Sequence, residues 1–229
     1  MRLEAVQLSE TIEVDMFQSK LALLPQEQQK RIMRFVRKED RDRALVGALL
    51  TRSTIEELCR IPIQEIELAA NAYGKPHLPA YPDFHFNISH SGEWVVGAFD
   101  SAPIGVDVEQ IQPIDLAIAD RFFTKQERDY IVNVAEQKQL ERFYDFWTLK
   151  ESYIKAVGKG LSIPLDSFWM QITESESISL HTEEKSQSWQ FRQYPLHADY
   201  KLAVCASHAN FSDGVRVRAV SQFLETVQP

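Results

Sequence analysis

Leu45, Ala48, Leu49, Arg52, Ile55 and Leu58 recur at intervals of three and four, which predicts a helix over residues 38–59 ended by Pro62. Upstream, residues 3–8 read as a short strand and residues 10–20 as a loop or frayed helix. Pro25 sits where a helix begins, and residues 26–35 continue that helix. Beyond Pro62 the texture changes. Residues 65–69 read as a strand, and Asn71-Ala72-Tyr73-Gly74-Lys75-Pro76 is turn chemistry. Phe84 to Ser89 alternates, Ser91-Gly92 turns, and Trp94 to Phe99 returns as the second arm of a hairpin. Pro103 breaks the chain before a strand over residues 104–109.

Helices then begin near Asp115 and near Thr124, the latter with a capping box between Thr124 and Glu127. The main helix runs from about Gln139 to Val157, with no proline between Leu140 and Leu161 and Gly158/Gly160 as its stop. Strands follow near 167–172, 188–194, 200–206 and 215–220. Strand, helix, helix, antiparallel strands thus occurs twice. Leu24-Pro25-Gln26-Glu27-Gln28 echoes Phe123-Thr124-Lys125-Gln126-Glu127 at the start of corresponding helices. The expected fold is α+β: a pseudo-dimer of two similar halves, each with helices packed on a small antiparallel sheet. The halves are residues 1–103 and 104–229, with a ligand cleft between them.

Composition narrows the class. The chain has 229 residues, 44% hydrophobic and 25% charged, which is ordinary globular usage. No long apolar run suggests a signal peptide or a membrane span. Cys59 and Cys205 lack metal-ligand spacing and are expected as buried thiols in a reducing cytoplasm. A formal charge of -8 argues against wholesale binding of nucleic acid or an anionic membrane. Between Lys30 and Arg43, however, seven cations face three acids. That cluster is either a phosphate-receiving patch or a solvated helix face with internal pairs.

Three stretches carry chemistry. In the main helix Trp147, Glu151 and Lys155 fall at i, i+4 and i+8 and share one face. They are either a surface ladder or, with Lys150, a carboxylate beside two ammonium groups that serves a divalent cation and a polyphosphate. On the strand Ile104 to Glu109, Asp107 and Glu109 point the same way, about 7 Å apart, with Ile104, Val106 and Val108 facing a core. Neighbouring carboxylates repel unless a cation bridges them. With Glu151 they make three oxygen ligands without His or Cys, a set that suits Mg²⁺. In Phe86-Asn87-Ile88-Ser89-His90-Ser91, Ser89 and His90 offer hydroxyl and imidazole donors for phosphate oxygens. Lys75 sits on a stiff turn, either solvated or clamping a nucleotide.

Gly105-Val106-Asp107-Val108-Glu109, followed some forty residues later by Trp147-Thr148-Leu149-Lys150-Glu151-Ser152-Tyr153-Ile154-Lys155, resembles the paired motif of 4′-phosphopantetheinyl transferases. Tyr73-Gly74-Lys75-Pro76, Phe86 to Ser91, and Arg121-Phe122-Phe123 with Glu127 add the pattern of the long, surfactin-synthetase-activating subfamily. The resemblance spans about Pro25 to His208. It implies coenzyme A in the cleft and Mg²⁺, or Mn²⁺ in its place, held by Asp107, Glu109 and Glu151. A carrier-protein serine would attack the β-phosphorus, and 3′,5′-ADP would leave. The carrier would belong to a peptide synthetase, a polyketide synthase or a fatty acid synthase.

The implied roles can be set out residue by residue. Lys150, Lys155 and His90 would stabilise phosphate charge, and Ser89 and His90 would hold phosphates. Lys75 and Pro76 would hold the adenine end. Glu151, Glu127 or a metal-polarised water would take the serine proton. The 3′-phosphate is the point of departure: Gln28 and Ala44 stand where relatives often have Lys and Thr. Arg31 is retained there, with Lys30 or Arg43 available to compensate. The carrier helix would pack on Ile111 to Ile114 and Arg121-Phe122-Phe123, through mainly apolar contacts. A chain holding both halves would work as a monomer. Two rivals are a Mg²⁺-dependent hydrolase of coenzyme A or a similar nucleotide, and a regulatory module that only binds coenzyme A.

Overall fold

The computed structural model describes residues 1–173, 177–184 and 187–228. The chain opens with β1 (Arg2–Gln7) and helices α1 (Val14–Leu21), α2 (Gln26–Met33) and α3 (Lys38–Cys59). Two short strands, β2 (Ala69–Ala70) and β3 (Pro76–His77), precede the hairpin β4 (His85–Ser91) and β5 (Trp94–Asp100), then β6 (Ile104–Gln110). Helices α4 (Ala119–Phe122), α5 (Lys125–Val132) and α6 (Glu136–Val157) follow. Strands β7 (Phe168–Ile172), β8 (Ile178–Thr182), β9 (Gln190–Gln193), β10 (Tyr200–Ala206) and β11 (Arg216–Ala219) lead to α7 (Val220–Thr226).

The fold is α+β. One sheet has the order β11-β1-β5-β4, and a second the order β6-β10-β9. β1 lies antiparallel to β5 but parallel to β11, so the end of the chain completes the sheet begun by its first strand. Three apolar clusters divide the molecule into four layers. Leu45 and Leu49 of α3 meet Val95 and Phe99 on one face of the first sheet, with Phe223 of α7 beside them. The other face, through Leu3, Trp94 and Val96, packs on Ile104, Val106 and Val108 of β6. Beyond the second sheet, Phe146, Leu149 and Tyr153 of α6 join Ala203 and Cys205 of β10. Each leucine fully buried this way is worth about 1.5–3 kcal/mol.

Two local features set the position of the layers that carry the chemistry. Along β4, alternation turns Asn87, Ser89 and Ser91 to one face. There Asn87 Oδ1 accepts the Val106 N–H at 2.8 Å, Ser89 Oγ the Val108 N–H at 3.3 Å, and Ser91 Oγ the Gln110 N–H at 3.1 Å. The seam between β4 and β6 is thus made side chain to backbone, and it satisfies strand N–H groups that burial would otherwise orphan. The second feature is Gly105. A Cβ there would lie 2.1 Å from the Ser152 carbonyl oxygen and 2.3 Å from the Ala156 nitrogen. Only glycine lets α6 approach β6 so closely. Gly105→Ala is expected to cost about 1–3 kcal/mol through overpacking against backbone, measured by urea denaturation. An unchanged midpoint would mean that the two backbones are not in contact.

Several predicted elements shift. Residues 65–69 do not form a strand: Ile63–Glu65 is a 3₁₀ turn, and only Ala69–Ala70 pair, with β3. Ile63 and Ile66, both buried, are spaced by three, a helical and not an alternating period. Residues 10–20 contain a true helix, α1, anchored by Phe17 and Leu21 at i and i+4. The strand expected over 215–220 gives way at Val220 to α7, which buries Val220, Phe223 and Leu224 in the first core. The hairpin arm β8 is not among the expected strands, because its alternation is only half buried.

Candidate active site

β4, β6 and α6 converge on a cavity of about 480 Å³. Its polar lining is Ser89, His90, Asp107, Glu109, Glu151 and Lys155, and Phe122, Trp147 and Leu165 form apolar walls. The Lys155 ammonium donates to Asp107 Oδ1 at 2.6 Å and to Ser89 Oγ at 2.9 Å. Ser89 Oγ donates to Asp107 at 2.9 Å, and Ser91 Oγ donates to Glu109 at 2.8 Å. The two serines therefore serve twice: each accepts a β6 N–H and orients the carboxylate beside it. Sequence reasoning overlooked Ser91 and Asn87, although the alternation Asn87-x-Ser89-x-Ser91 was the available signal.

The electrostatics are those of crowded acids. Burial raises the Asp107 carboxyl above the usual range, against the opposing pull of Lys155. Burial and then the Asp107 charge push Glu109 up to about 6, and raise Glu151 as well. Burial, with Arg43 and Lys155 nearby, lowers His90. Asp107 Oδ2 is buried without a hydrogen-bond partner. An unpaired buried oxygen and mutually repelling carboxylates are both features a divalent cation would relieve. The trio is not a preformed ligand set, however. Among the described residues no three His, Cys, Asp or Glu side chains are gathered closely enough to hold a metal ion. Lys155 occupies Asp107 Oδ1.

Other expected site residues lie elsewhere. Lys150 and Glu127 stand outside this cavity, fully buried against each other. Lys150 Nζ donates to Glu127 Oε1 at 2.8 Å, to Oε2 at 2.7 Å and to the Phe168 carbonyl at 2.7 Å, which uses all three of its protons. Glu127 also accepts the Met170 N–H at 2.9 Å and completes the capping box with Thr124. Lys150 is therefore corrected from a phosphate donor to an internal cation, and Glu127 from a base to its counterion.

Arg31 is exposed on α2 and lines neither cavity. Gln28 is engaged by Arg52 Nε at 3.1 Å, and Lys30 pairs with Glu27 at 2.7 Å. Arg43, bonded to the Gly92 carbonyl at 2.8 Å and paired with Asp40, is the member of this cluster whose charge reaches His90. Lys75 and Pro76 border a second cavity of about 340 Å³ whose aromatic lining includes Phe84, Phe86, Tyr153 and Trp189. The Lys75 ammonium itself bonds protein carbonyls, so its charge is an internal tie while the residue remains in the wall of this cavity.

Three carboxylates, a lysine and a histidine thus line one cavity between two sheets and a helix, a set of charges able to handle a phosphate group. Residues 103–205 match the family model described as the 4′-phosphopantetheinyl transferase superfamily, and residues 12–102 match that of the 4′-phosphopantetheinyl transferase N-terminal region. The 4′-phosphopantetheinyl transferase ffp of Bacillus subtilis is 43% identical over 85% of this chain and 87% of its own. The 4′-phosphopantetheinyl transferase Sfp of Bacillus subtilis strain 168 is 39% identical over 89% of this chain and 91% of its own. The gsp protein of Aneurinibacillus migulanus, another 4′-phosphopantetheinyl transferase, is 38% identical over 79% of this chain and 75% of its own. The chain belongs to the 4′-phosphopantetheinyl transferase family and is of the Sfp type.

Proposed function

We propose that this enzyme transfers the 4′-phosphopantetheine of coenzyme A to a serine hydroxyl of acyl or peptidyl carrier domains, and releases 3′,5′-ADP. The observation that carries this reading is the single cavity in which Asp107, Glu109 and Glu151 face Lys155 and His90. In the reaction the serine oxygen bonds to the β-phosphorus, and the bridging oxygen leaves with 3′,5′-ADP. The serine proton passes to a protein carboxylate. Glu151 is our assigned acceptor because it lines this cavity, whereas Glu127 is sealed beneath Lys150. Lys155 and His90 meet the diphosphate oxygens, and Ser89 keeps Lys155 and Asp107 in register. The aromatic cavity beside Pro76 suits the adenine ring, and Arg43 suits the 3′-phosphate in place of Gln28 and Ala44.

Asp107, Glu109 and Glu151 would hold Mg²⁺ or Mn²⁺, which would neutralise diphosphate charge as the leaving group departs. Carrier docking is assigned to Ile111 to Ile114 and the Arg121-Phe122-Phe123 corner, beside which Ile118 is exposed. A monomer is the proposed state, because both family-matched halves lie in one chain. Among the described residues no helix is long and apolar enough to cross a membrane. The direct test is the intact mass of a carrier domain after incubation with enzyme, coenzyme A and Mg²⁺. The carrier is expected to gain one phosphopantetheine. Hydrolysis of coenzyme A with the carrier unchanged would overturn the reading.

Cation binding has its own readout. Glu109 titrates near 6 in the folded chain against 4.5 as the reference. Between those values the folded state keeps a proton that the unfolded state has lost, so this group's contribution to stability falls as pH rises through that window. A cation that replaces the proton restores it. Millimolar Mg²⁺ should therefore raise Tm at about pH 7.5 and do so much less at about pH 5, by differential scanning fluorimetry. Glu109→Gln should lose most of the increment. An equal shift in that variant would place the ion elsewhere.

A further inference from the structure

We propose that Lys75 is a positioning residue, which ties the end of α6 to the start of β6 from the opposite side of the cleft and so brings Lys155 to Asp107. The Lys75 ammonium donates to the Ile104 carbonyl at 3.0 Å and to the Ala156 carbonyl at 3.1 Å. Ile104 begins β6, and Ala156 directly follows Lys155 in the last turn of α6. Those two points flank the place where Gly105 lets the backbones touch. The carbonyls of a last helical turn have no partner within the helix, and the helix dipole makes that end negative. A buried cation is a strong tie there, and burial brings its pKa down to about 8 against a small opposing pull from Cys205.

The turn around Lys75 is built for the purpose. Asn71 Oδ1 accepts the N–H groups of Tyr73 and Lys75, both at 2.9 Å, and so shapes the loop. Asn71 Nδ2 donates to the Gly158 carbonyl at 2.8 Å, just past the helix end. Gly158 has a φ of 76°, and a Cβ on it would lie 2.8 Å from Lys75 Cδ. The glycine thus ends the helix and clears room for the lysine stem. A residue more than eighty positions upstream caps α6, and the capped turn carries the ammonium that meets Asp107 at 2.6 Å.

Because this role rests on the transfer reaction proposed above, the test pairs turnover with a readout that needs none. In Lys75→Met, amides in residues 152–158 should exchange with solvent about tenfold faster, and those in residues 140–146 should be unchanged. With a carrier as acceptor, kcat should fall about 10- to 100-fold while KM for coenzyme A moves less than about threefold. Lys75→Arg, which keeps the charge, should retain more turnover than Lys75→Met. Asn71→Ala should shift the same readouts in the same direction, and it decides the question if Lys75→Met does not fold. Unchanged exchange at 152–158 would overturn the role. So would intact kcat with a raised KM, the mark of a residue that touches the nucleotide, or equal losses in the Arg and Met variants. If the unaltered enzyme fails to modify a carrier, the transfer reading fails and the exchange data alone decide the tie.

Discussion

Asp107→Ala is expected to abolish carrier modification, by about 10³-fold or more, and to leave the protein as stable as before or slightly more so. The two halves of that expectation have one cause. Asp107 is buried, one of its oxygens has no partner, and burial holds its carboxyl above the usual range. Such a group costs stability and persists where charge is needed at a reacting centre. Its removal leaves Lys155 partly exposed and able to reach water, so no charge is stranded. The measurement is initial rate by carrier mass, beside a urea denaturation of the same preparation. Retained turnover would sink the assignment of the acidic cavity as the reaction centre. A large loss of stability would mean that Asp107 is instead a structural ion-pair partner.

Glu127→Ala should do the reverse, and loosen the packing of α5 and α6 before it reveals anything about catalysis. The loss is expected to be about 3–5 kcal/mol, because Lys150 would be left charged and fully buried with no counterion. That is a large share of the roughly 5–15 kcal/mol that holds a domain together. The capping box at Thr124 and the bond from the Met170 N–H are lost with it. The double change Glu127→Ala with Lys150→Met should recover part of the deficit, since no unpaired charge is then buried, although the space left by the Glu127 side chain remains. The comparison is of urea midpoints for the single and double variants. A Glu127→Ala protein that folds normally but turns over slowly would restore Glu127 to the cleft as a base.

Much of this enzyme was legible before any coordinates. The period of Leu45, Leu49 and Ile55 placed α3, and Thr124 with Glu127 placed the start of α5, because caps and amphipathic faces are local properties. The same-face geometry of Asp107 and Glu109, and of Glu151 and Lys155, follows from strand and helix repeats alone. What misled was type without environment. Lys150 and Lys155 are five residues apart on one helix, yet one is sealed beneath Phe168 and the other faces the cavity. Five residues is 500° at 100° per residue, or 140° around the axis, enough to send them to different layers. The local sequence names both as cations and cannot say which layer each one meets.

The sequence by itself determined most of the elements and the family, since these depend on residue type and short spacings. The tertiary structure alone decided which charges are paired. Asn87, Ser89 and Ser91 bind β6, Lys75 reaches α6, and the last strand returns to the first sheet, all through contacts between segments distant in the chain. Such contacts depend on where burial brings two surfaces together, and a buried charge must find whatever partner that packing supplies.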